Sequence, residues 1–191
     1  MNKKIKLLIF SAPSGSGKTT LVHKVLESLD FVSFSISMTT RKPRTNEIHG
    51  KDYYFTTHEN FKERLENNEF LEWQEVYPGS FYGTLKTEIE QINANGQIAL
   101  LDMDVIGGIN VKHEFGAEAV SFFIQAPSLQ ELKKRLMHRS TDTEEDIGIR
   151  LAKATKELEY ANDFDYIIIN DDLSLALQHI LLILDTIKKH Y

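Results

Sequence analysis

The chain has 191 residues and a net charge of −6 at neutral pH, with 41% hydrophobic and 26% charged residues. This length and balance predict one folded, soluble domain with modest insertions. The acidic charge argues against a nucleic-acid partner, and the lack of cysteine excludes disulfides and cysteine-based zinc sites. The apolar runs are too short for a signal peptide or a membrane span, so we expect no membrane partner and a cytoplasmic location.

The first element is an apolar run from Ile5 to Phe10, followed by a loop of glycine and serine and then a helix of amphipathic pattern. A strand, such a loop and a helix in this order are typical of a phosphate-binding loop. A plain turn between a strand and a helix is the alternative. In the phosphate-binding interpretation, Lys18 reaches the β- and γ-phosphates, and the Thr19 hydroxyl lies near Mg²⁺. Ala12 stands where the consensus has glycine, which a backbone that is not left-handed tolerates.

Further strands are predicted along the chain, and segments of helical spacing separate them. Continuous apolar runs, unlike alternating ones, indicate strands of a parallel sheet that are buried on both faces. Ser128 to Glu131 form a capping box for one helix, and Leu173 to Ile187 carry the apolar stripe of the last one. The alternation predicts an α/β fold with a doubly wound parallel sheet. The predicted strands are Phe31 to Ser35, Ile98 to Leu101, Val120 to Ile124 and Tyr166 to Ile169.

Two stretches interrupt this alternation. Residues 37–85 are polar, basic at their start and rich in aromatic residues, which predicts an inserted subdomain with its own small sheet and helix. Residues 139–155 are dense in charge, include a predicted helix start at Thr143, and suit a mobile lid. The core is then formed by residues 1–36, 86–138 and 156–191.

Two arginines, Arg41 and Arg44, follow a run of small hydroxyl residues and are separated by Lys42 and Pro43. Each guanidinium offers a planar fork of donors that suits phosphate oxygens. Two solvated surface arginines are the alternative. Because the chain already has one predicted phosphate loop, the pair favours a second phosphate site.

Asp102 and Asp104 close the apolar run that starts at Ile98. Positions two apart on a strand share a face, so both carboxylates can face the crevice where ligands bind in open α/β sheets. Asp102 would then lie near the Mg²⁺ of ATP. The alternative is that these carboxylates cap the next helix.

Six separated segments, taken in their order and spacing, resemble the guanylate kinase family. The resemblance covers nearly the whole chain, and it implies a P-loop kinase core, an inserted GMP-binding subdomain and a short lid. The first segment contains both arginines and resembles the nucleotide-binding signature of that family. The segments are Ser37 to Phe55, Asn67 to Trp73, Tyr82 to Thr84, Leu101 to Asp104, Arg139 to Glu145 and Ile169 to Asp172.

For the acceptor, the resemblance implies that Arg41, Arg44, Tyr53 and Tyr82 hold the phosphate of GMP, and that Glu47 orients the arginines. Glu72 accepts hydrogen bonds from N1–H and the exocyclic amine of guanine, and adenine offers neither group in that form. A polar site of this kind can discriminate by roughly 10⁴. The further guanine contacts are Ser37, Thr84 and Asp104.

For the donor, the resemblance implies that Arg139 and Arg150 reach the ATP phosphates when the lid closes, and that Arg135 assists. Asn170 and Asp171 lie near the adenine, although Asp171 could equally be the N-cap of the last helix. Thr19 and Asp102 serve the metal, Mg²⁺, through ATP and water. The remaining expected ATP contacts are Ala12, Pro13, Ser14, Gly15, Ser16, Gly17, Lys18 and Thr20.

The reaction implied is phosphoryl transfer from MgATP to GMP, and also to dGMP, by a monomer or homodimer. GMP brings a phosphate that is already largely ionised, so no general base is needed, and Lys18, Arg41, Arg139 and Arg150 act by alignment and charge. Two alternatives stay open. One is a related P-loop kinase with another nucleoside monophosphate or ribose bisphosphate as acceptor. The other is a non-catalytic guanylate-kinase-like module that binds a protein.

Overall fold

The structure is a computed structural model and describes residues 4–137 and 144–188. Within these residues, strands and helices alternate along most of the chain. The strands are β1 (Leu7–Ser11), β2 (Val32–Phe34), β3 (Met38–Thr39), β4 (Tyr54–Phe55), β5 (Phe70–Tyr77), β6 (Ser80–Leu85), β7 (Ile98–Met103), β8 (Ala119–Gln125) and β9 (Tyr166–Ile169). The α-helices are α1 (Lys18–Ser28), α2 (His58–Glu66), α3 (Lys86–Ala94), α4 (Val105–Phe115), α5 (Leu129–Met137), α6 (Glu144–Leu158) and α7 (Leu173–Lys188).

The central sheet has five parallel strands in the order β2-β7-β1-β8-β9. β1 therefore lies in the middle, and its residues Leu7 to Phe10 are fully buried. Four of these strands were predicted from apolar runs, and β2 matches the further strand that was expected between Phe31 and Ser35. The expected doubly wound α/β class is confirmed. The carboxyl ends of β1 and β7 are adjacent in register, since Ser11 aligns with Met103. The phosphate loop and the Asp102–Asp104 segment thus meet at one edge of the sheet.

Helices cover both faces of this sheet. On one face, α1 and α7 pack against alternate strand residues, with Leu21 and Val25 of α1 and Ile180 of α7 in the same buried cluster as Phe10. On the other face, Ile89 of α3 and Val111 of α4 pack against Ile9 and Leu101. None of the described helices is long and apolar enough to cross a membrane.

The last strand differs from its prediction. β9 occupies an edge of the described sheet, and three of its four residues are exposed: Tyr166 at 39%, Ile167 at 39% and Ile169 at 47%. The prediction that it is buried on both faces was wrong. A continuous apolar run does not reveal whether a strand is central or at an edge, because strand order is a property of the whole sheet.

A second sheet lies in residues 38–85, with the strand order β4-β3-β6-β5. β5 and β6 form an antiparallel hairpin, β3 pairs antiparallel with β6, and β3 pairs parallel with β4. Helix α2 packs on it through Phe61, whose ring stacks on Phe70 at a centroid distance of 4.3 Å. The small sheet and helix expected in this stretch are present.

Glu88 of α3 connects the second sheet to the core. One carboxylate oxygen accepts a hydrogen bond from the backbone N–H of Ile36 at 3.3 Å, where the chain passes from β2 to β3. The other accepts from the hydroxyl of Tyr54 in β4 at 3.0 Å. A single carboxylate thus ties together the crossing point and the edge strand of the second sheet.

Candidate active site

The loop between β1 and α1 has the backbone that anion binding requires. Gly15 and Gly17 adopt left-handed conformations, with φ of 91° and 88°, and Gly17 caps the start of α1. Such a turn directs successive N–H groups toward one point, next to the positive end of the helix dipole. Ala12 does not have a positive φ, since Asn68 is the single non-glycine residue with one in the described chain. The methyl group at position 12 is accommodated as the sequence predicted.

Lys18 joins the loop to the end of β7. Its ammonium forms an ion pair with the carboxylate of Asp102 and donates a hydrogen bond to the carbonyl oxygen of Met103 at 2.9 Å. The sequence placed Asp102 near a metal, and the structure places it directly beside the loop lysine. Both side chains are about one-fifth exposed, so the pair lies in a partly screened crevice.

Asn170, which follows β9, holds the phosphate loop through a hydrogen bond. It is only 5% exposed, and its side-chain amide donates a hydrogen bond to the carbonyl oxygen of Ser16 at 2.8 Å. Its amide nitrogen also fills the space that a Cβ on Gly17 would need. The side chain expected near the adenine is therefore occupied in holding the phosphate loop.

Arg135 and Asp171 lie at the same end of the sheet. The guanidinium of Arg135 donates to Glu131 at 3.1 Å and to the carbonyl oxygen of Asn170 at 2.9 Å. Asp171 is exposed and does not cap α7, because the cap is Asp172, which accepts from the N–H groups of Ser174 and Leu175. The capping alternative for Asp171 was wrong by one residue.

The loop opens into a cavity of about 320 Å³. One wall is the loop with Thr19 and Thr20, and the other is formed by Arg150, Lys153 and Glu157 of α6. Burial raises the pKa of Glu157, and Lys153 opposes that shift. Sequence reasoning selected Arg150 and missed the other two, although positions 150, 153 and 157 share one helix face. Arg139, Ser140 and Thr143 lie outside the described residues.

A second cavity, of about 330 Å³, lies between the two sheets. It shares Lys18 and Asp104 with the loop cavity, so the two cavities meet at these residues. Seven of the nine sequence-predicted acceptor residues line it, and the other two, Arg41 and Glu47, do not. The remaining residues of its lining are Ser37, Arg44, Tyr53, Glu72, Gln74, Val76, Tyr82, Gly83, Thr84, Asp102 and Met103.

Arg41 and Glu47 form a two-pronged ion pair beside this cavity. The two terminal nitrogens of Arg41 lie 2.8 and 2.9 Å from the two carboxylate oxygens of Glu47. Glu47 also accepts from the backbone N–H of Arg44 at 2.7 Å. Arg41 lowers the pKa of Glu47 to about 2, chiefly through the side-chain hydrogen bonds. Glu47 therefore orients one arginine by its side chain and the other through the backbone.

Tyr82 and Tyr53 stand next to this arginine. The hydroxyl of Tyr82 accepts a hydrogen bond from Nε of Arg41 at 2.9 Å, which leaves its own proton available to donate. Tyr53 packs edge-to-face on Tyr82 at a centroid distance of 5.8 Å, and the Arg41 guanidinium lies 5.4 Å from the Tyr53 ring centroid. Burial raises the pKa of Tyr53, which keeps its phenol protonated as a donor. These donors suit an anionic phosphate.

Glu72 and Thr84 face each other across the β5–β6 hairpin. The Thr84 hydroxyl donates to one carboxylate oxygen of Glu72 at 2.8 Å. Burial raises the pKa of Glu72, the Thr84 hydrogen bond opposes this, and the nearby Asp104 adds to it. An acceptor oxygen in this half-buried position suits the N–H groups of a base.

Asp104 is both a helix cap and a cavity residue. One carboxylate oxygen accepts from the N–H groups of Ile106 and Gly107, each at 3.0 Å, so the capping alternative is correct for this side chain. The other oxygen accepts from the side-chain amide of Gln74 at 2.5 Å. Gln74 was missed by sequence reasoning, although its spacing of two from Glu72 puts both on one strand face.

The donor set for a metal is sparse. No cluster of three or more histidine, cysteine or acidic side chains that could hold a metal occurs in the described residues. Thr19 and Asp102 lie next to the loop and offer a hydroxyl and a carboxylate. Magnesium usually keeps several waters and is bound through one or two carboxylates and substrate phosphates, so these residues fit such an ion.

A phosphate-binding loop at the carboxyl edge of a doubly wound sheet, facing a second polar cavity under an inserted sheet, defines a P-loop kinase with a separate acceptor site. The family model for guanylate kinase matches residues 4–187. The chain belongs to the guanylate kinase family, whose activity is the phosphorylation of GMP.

Individual relatives agree with this membership. Guanylate kinase from Bacteroides fragilis is 51% identical over 176 residues, which cover 92% of this chain and 86% of the relative. Guanylate kinase from Bacteroides thetaiotaomicron is 50% identical over 171 residues, or 90% of this chain and 84% of the relative. A crystal structure of guanylate kinase from Anaplasma phagocytophilum superposes with a TM-score of 0.75 at 31% identity, covering 97% of this chain and 87% of that one.

Proposed function

We propose that this chain transfers the γ-phosphate of ATP to GMP, and also to dGMP, through the residues of the two cavities. The observation that carries this proposal is that the phosphate loop and the acceptor cavity meet at Lys18 and Asp104. Donor and acceptor phosphates bound on either side of Lys18 would be brought together. The phosphate of GMP, with a second pKa near ~6, is already largely an anion, so no general base is required.

The donor half of the proposal rests on the loop of residues 12–20. Its N–H groups and Lys18 would hold the polyphosphate, while Asn170 keeps the loop in shape. Arg135 would assist at the phosphates, and Asp171 would lie near the adenine. Arg150, and Arg139 with it, would neutralise charge on the transferred group. A bound Mg²⁺ would add further positive charge at the phosphates, held by Thr19 and Asp102 through ATP and water.

The acceptor half rests on the second sheet. Arg41, Arg44, Tyr53 and Tyr82 would donate to the GMP phosphate. Contacts of Arg41 with Tyr82, Glu47 and the Tyr53 ring hold its guanidinium in place. Such preorganisation reduces the cost of ordering at the moment of reaction. The guanine base would be read by Glu72, with Ser37, Thr84 and Asp104 around it.

We also propose the division of labour along the chain. Residues 37–85 act as the GMP-binding subdomain, residues 139–155 as the lid, and residues 1–36, 86–138 and 156–191 as the core. Closure of subdomain and lid would exclude water that could otherwise take the phosphate. We propose that the protein acts in the cytoplasm, since a chain without cysteine suits a reducing compartment. A monomer or a homodimer would fit this proposal.

The direct test measures ADP release from MgATP with a panel of acceptors: GMP, dGMP, AMP, CMP, UMP and ribose bisphosphate. We expect GMP and dGMP to be used far better than the others. If ADP release with GMP does not exceed ADP release without an acceptor, the proposal is refuted and the protein-binding alternative is favoured. Preference for another panel member would identify the related-kinase alternative.

A variant tests the loop assignment separately. Lys18→Ala should lower kcat by at least ~100-fold, because the ammonium no longer stabilises charge on the transferring phosphoryl group. The matched control is Lys62→Ala, since Lys62 is a lysine on α2 with a side chain that is 77% exposed. If Lys18→Ala kept the activity of the Lys62→Ala protein, the assignment of the loop would be wrong.

A further inference from the structure

The acceptor cavity contains a side chain that bridges the two sheets. Gln74 lies on β5, two residues after Glu72, and both line the cavity. Across the hairpin, Gln74 pairs with Tyr82 and Glu72 pairs with Thr84. The Gln74 amide reaches out of this sheet to Asp104, which stands between β7 and α4 of the core. Gln74 thus connects the strand that carries Glu72 to the carboxyl edge of the central sheet.

The hydrogen bonds of Asp104 can be counted. A carboxylate offers about four acceptor positions, two on each oxygen. The N–H groups of Ile106 and Gly107 take both positions on Oδ1, at 3.0 Å each. The amide of Gln74 takes one position on Oδ2, at 2.5 Å. One acceptor position therefore remains, and it lies on Oδ2, the oxygen on the side of Glu72.

The two carboxylates are close to each other at this point. A Cβ on Gly107 would lie 3.1 Å from Oδ2 of Asp104 and 3.7 Å from Oε2 of Glu72. Like charges at such proximity repel, and a donor between them stabilises both. The exocyclic amine of guanine carries two N–H groups, which match one acceptor on Glu72 and one on Asp104.

We propose that Gln74 is a positioning residue that directs the remaining acceptor of Asp104 at the 2-amino group of guanine, and so sets the preference for GMP over IMP. The inference rests on the proposed role of Asp104 in reading guanine. IMP has the same ribose phosphate and the same N1–H as GMP but lacks the 2-amino group. Substitution of a residue that acts through Asp104 must therefore lower kcat/KM for GMP and leave kcat/KM for IMP nearly unchanged.

The experiment compares kcat/KM for GMP and for IMP at saturating MgATP in the wild type and in Gln74→Met. Methionine keeps the length of the side chain and removes its donor. We expect kcat/KM for GMP to fall by about five- to tenfold, the loss typical of one net hydrogen bond. We expect IMP to change less than twofold and KM for ATP to stay constant. The matched control is Gln178→Met, an exposed position on α7.

A second background tests the pathway through Asp104. Asp104→Ser keeps a capping oxygen, because serine is an N-cap as good as aspartate, but it has no second oxygen for Gln74. Gln74→Met should then produce no further change in the GMP-to-IMP ratio, whereas it lowers that ratio in the wild-type background. Thermal unfolding of each variant verifies that it is folded at the assay temperature.

The outcomes separate the inference from its foundation. If the wild type does not prefer GMP to IMP, the proposed reading of guanine fails. The positioning role of Gln74 is overturned if the wild type prefers GMP but Gln74→Met changes the GMP-to-IMP ratio of kcat/KM by less than twofold. It is also overturned if Gln74→Met lowers kcat/KM equally for both substrates. A Gln74→Met effect that persists in the Asp104→Ser background would also overturn it.

Discussion

Glu72 combines two opposing demands at one residue. To accept hydrogen bonds from guanine its carboxylate must be charged, yet its position in the cleft removes water and raises its pKa. The hydroxyl of Thr84, which donates at 2.8 Å, partly offsets this cost. Because the pKa is raised, the charged form is lost at a higher pH than for an exposed glutamate.

This residue predicts a pH dependence of GMP binding. As pH falls through the raised pKa of Glu72, the carboxyl becomes neutral and KM for GMP should rise, while KM for ATP changes less. The GMP phosphate also titrates, near pH ~6, so the comparison needs a protein with the same substrate but no titrating group. Glu72→Gln is that protein. We expect its KM for GMP to be raised at least ~10-fold, and we expect the pH dependence caused by residue 72 to disappear from its profile.

Glu47, a further acidic residue beside the acceptor cavity, does not produce this effect. Glu47 has a pKa lowered to about 2, so its contribution is present above the ordinary glutamate range and is lost only as pH falls through about 2. It stays charged across the range in which Glu72 titrates. An identical pH profile for wild type and Glu72→Gln would show that Glu72 does not carry the dependence.

Asn170 gives a prediction about the loop. Asn170→Ala leaves the buried carbonyl oxygen of Ser16 without its donor, which should lower the free energy of unfolding by about 1–3 kcal/mol and raise KM for ATP. Urea unfolding and steady-state kinetics measure the two effects. The control is Asn162→Ala, at an exposed asparagine. A raised KM for ATP with unchanged stability would indicate direct nucleotide contact instead of support for the loop.

At the scale of elements, helix α4 lies unusually close to β1. A Cβ on Gly108 would overlap Oγ of Ser11 and come within 3.3 Å of Ile9 and Phe164. The Ser11 hydroxyl in turn donates to the carbonyl oxygen of Asp104 at 3.1 Å. The absence of a side chain at position 108 therefore lets the start of α4, with its capping carboxylate, approach the edge of the sheet.

Two glycine substitutions in helices should have opposite signs. Gly108→Ala should destabilise the fold by about 1–3 kcal/mol, because the added methyl group has no space. Gly148→Ala, on α6, should stabilise it by up to ~1 kcal/mol, since a Cβ there meets nothing within 4 Å and alanine favours helix. Urea unfolding of both variants measures the difference. A stabilising Gly108→Ala would contradict the close packing of α4 on β1.

Sequence patterns predict these elements unequally. The run Leu7 to Phe10 is recognisable because a central parallel strand is apolar at every position. β3 and β4 have two residues each, too short for any periodicity, so only the composition of the whole stretch indicates a second sheet. β9 is exposed because it lies at the edge of the sheet, and a local sequence pattern does not reveal the order of the strands.

The site was predictable to a similar degree. Lys18 and its loop follow from local residues alone, and the spacing of Arg41 and Arg44 indicates a second phosphate site. The roles in reading guanine are predictions that come from resemblance to a family. Gln74 and Lys153 escaped both routes, because an exposed glutamine or lysine is ordinary until the fold places it against a cavity. The partner of Asp104 is 30 residues away in sequence, and only the packing of two sheets brings it there.

At the scale of the whole molecule, the two sheets differ in how deeply they are buried. Leu7 to Phe10 of the central sheet are fully buried, whereas most described residues of β5 are partly or fully exposed. Local opening is easier where few apolar groups are covered. We therefore expect a bound ligand to protect the acceptor sheet more than it protects the central sheet.

Hydrogen exchange should reveal this division. Amides of β1 and β8 should exchange slowly with or without nucleotide, whereas amides of β5 and β6 should exchange faster and slow down at least ~10-fold when GMP is added at 100 times its Kd. Peptide-level mass spectrometry resolves these segments, and AMP is the control ligand. Equal protection of β1 and β5 by GMP would contradict the assignment of the acceptor site to the second sheet.

The contact between Lys18 and Asp102 affects the entropic cost of placing the lysine at a bound phosphate. The ion pair with Asp102 and the hydrogen bond to Met103 restrict the long side chain of Lys18, so part of the entropy of ordering it is lost on folding. A polyphosphate bound in the loop would therefore compete with the Asp102 carboxylate for the same ammonium. The carboxylate of Asp102 is thus a built-in counter-ion for Lys18.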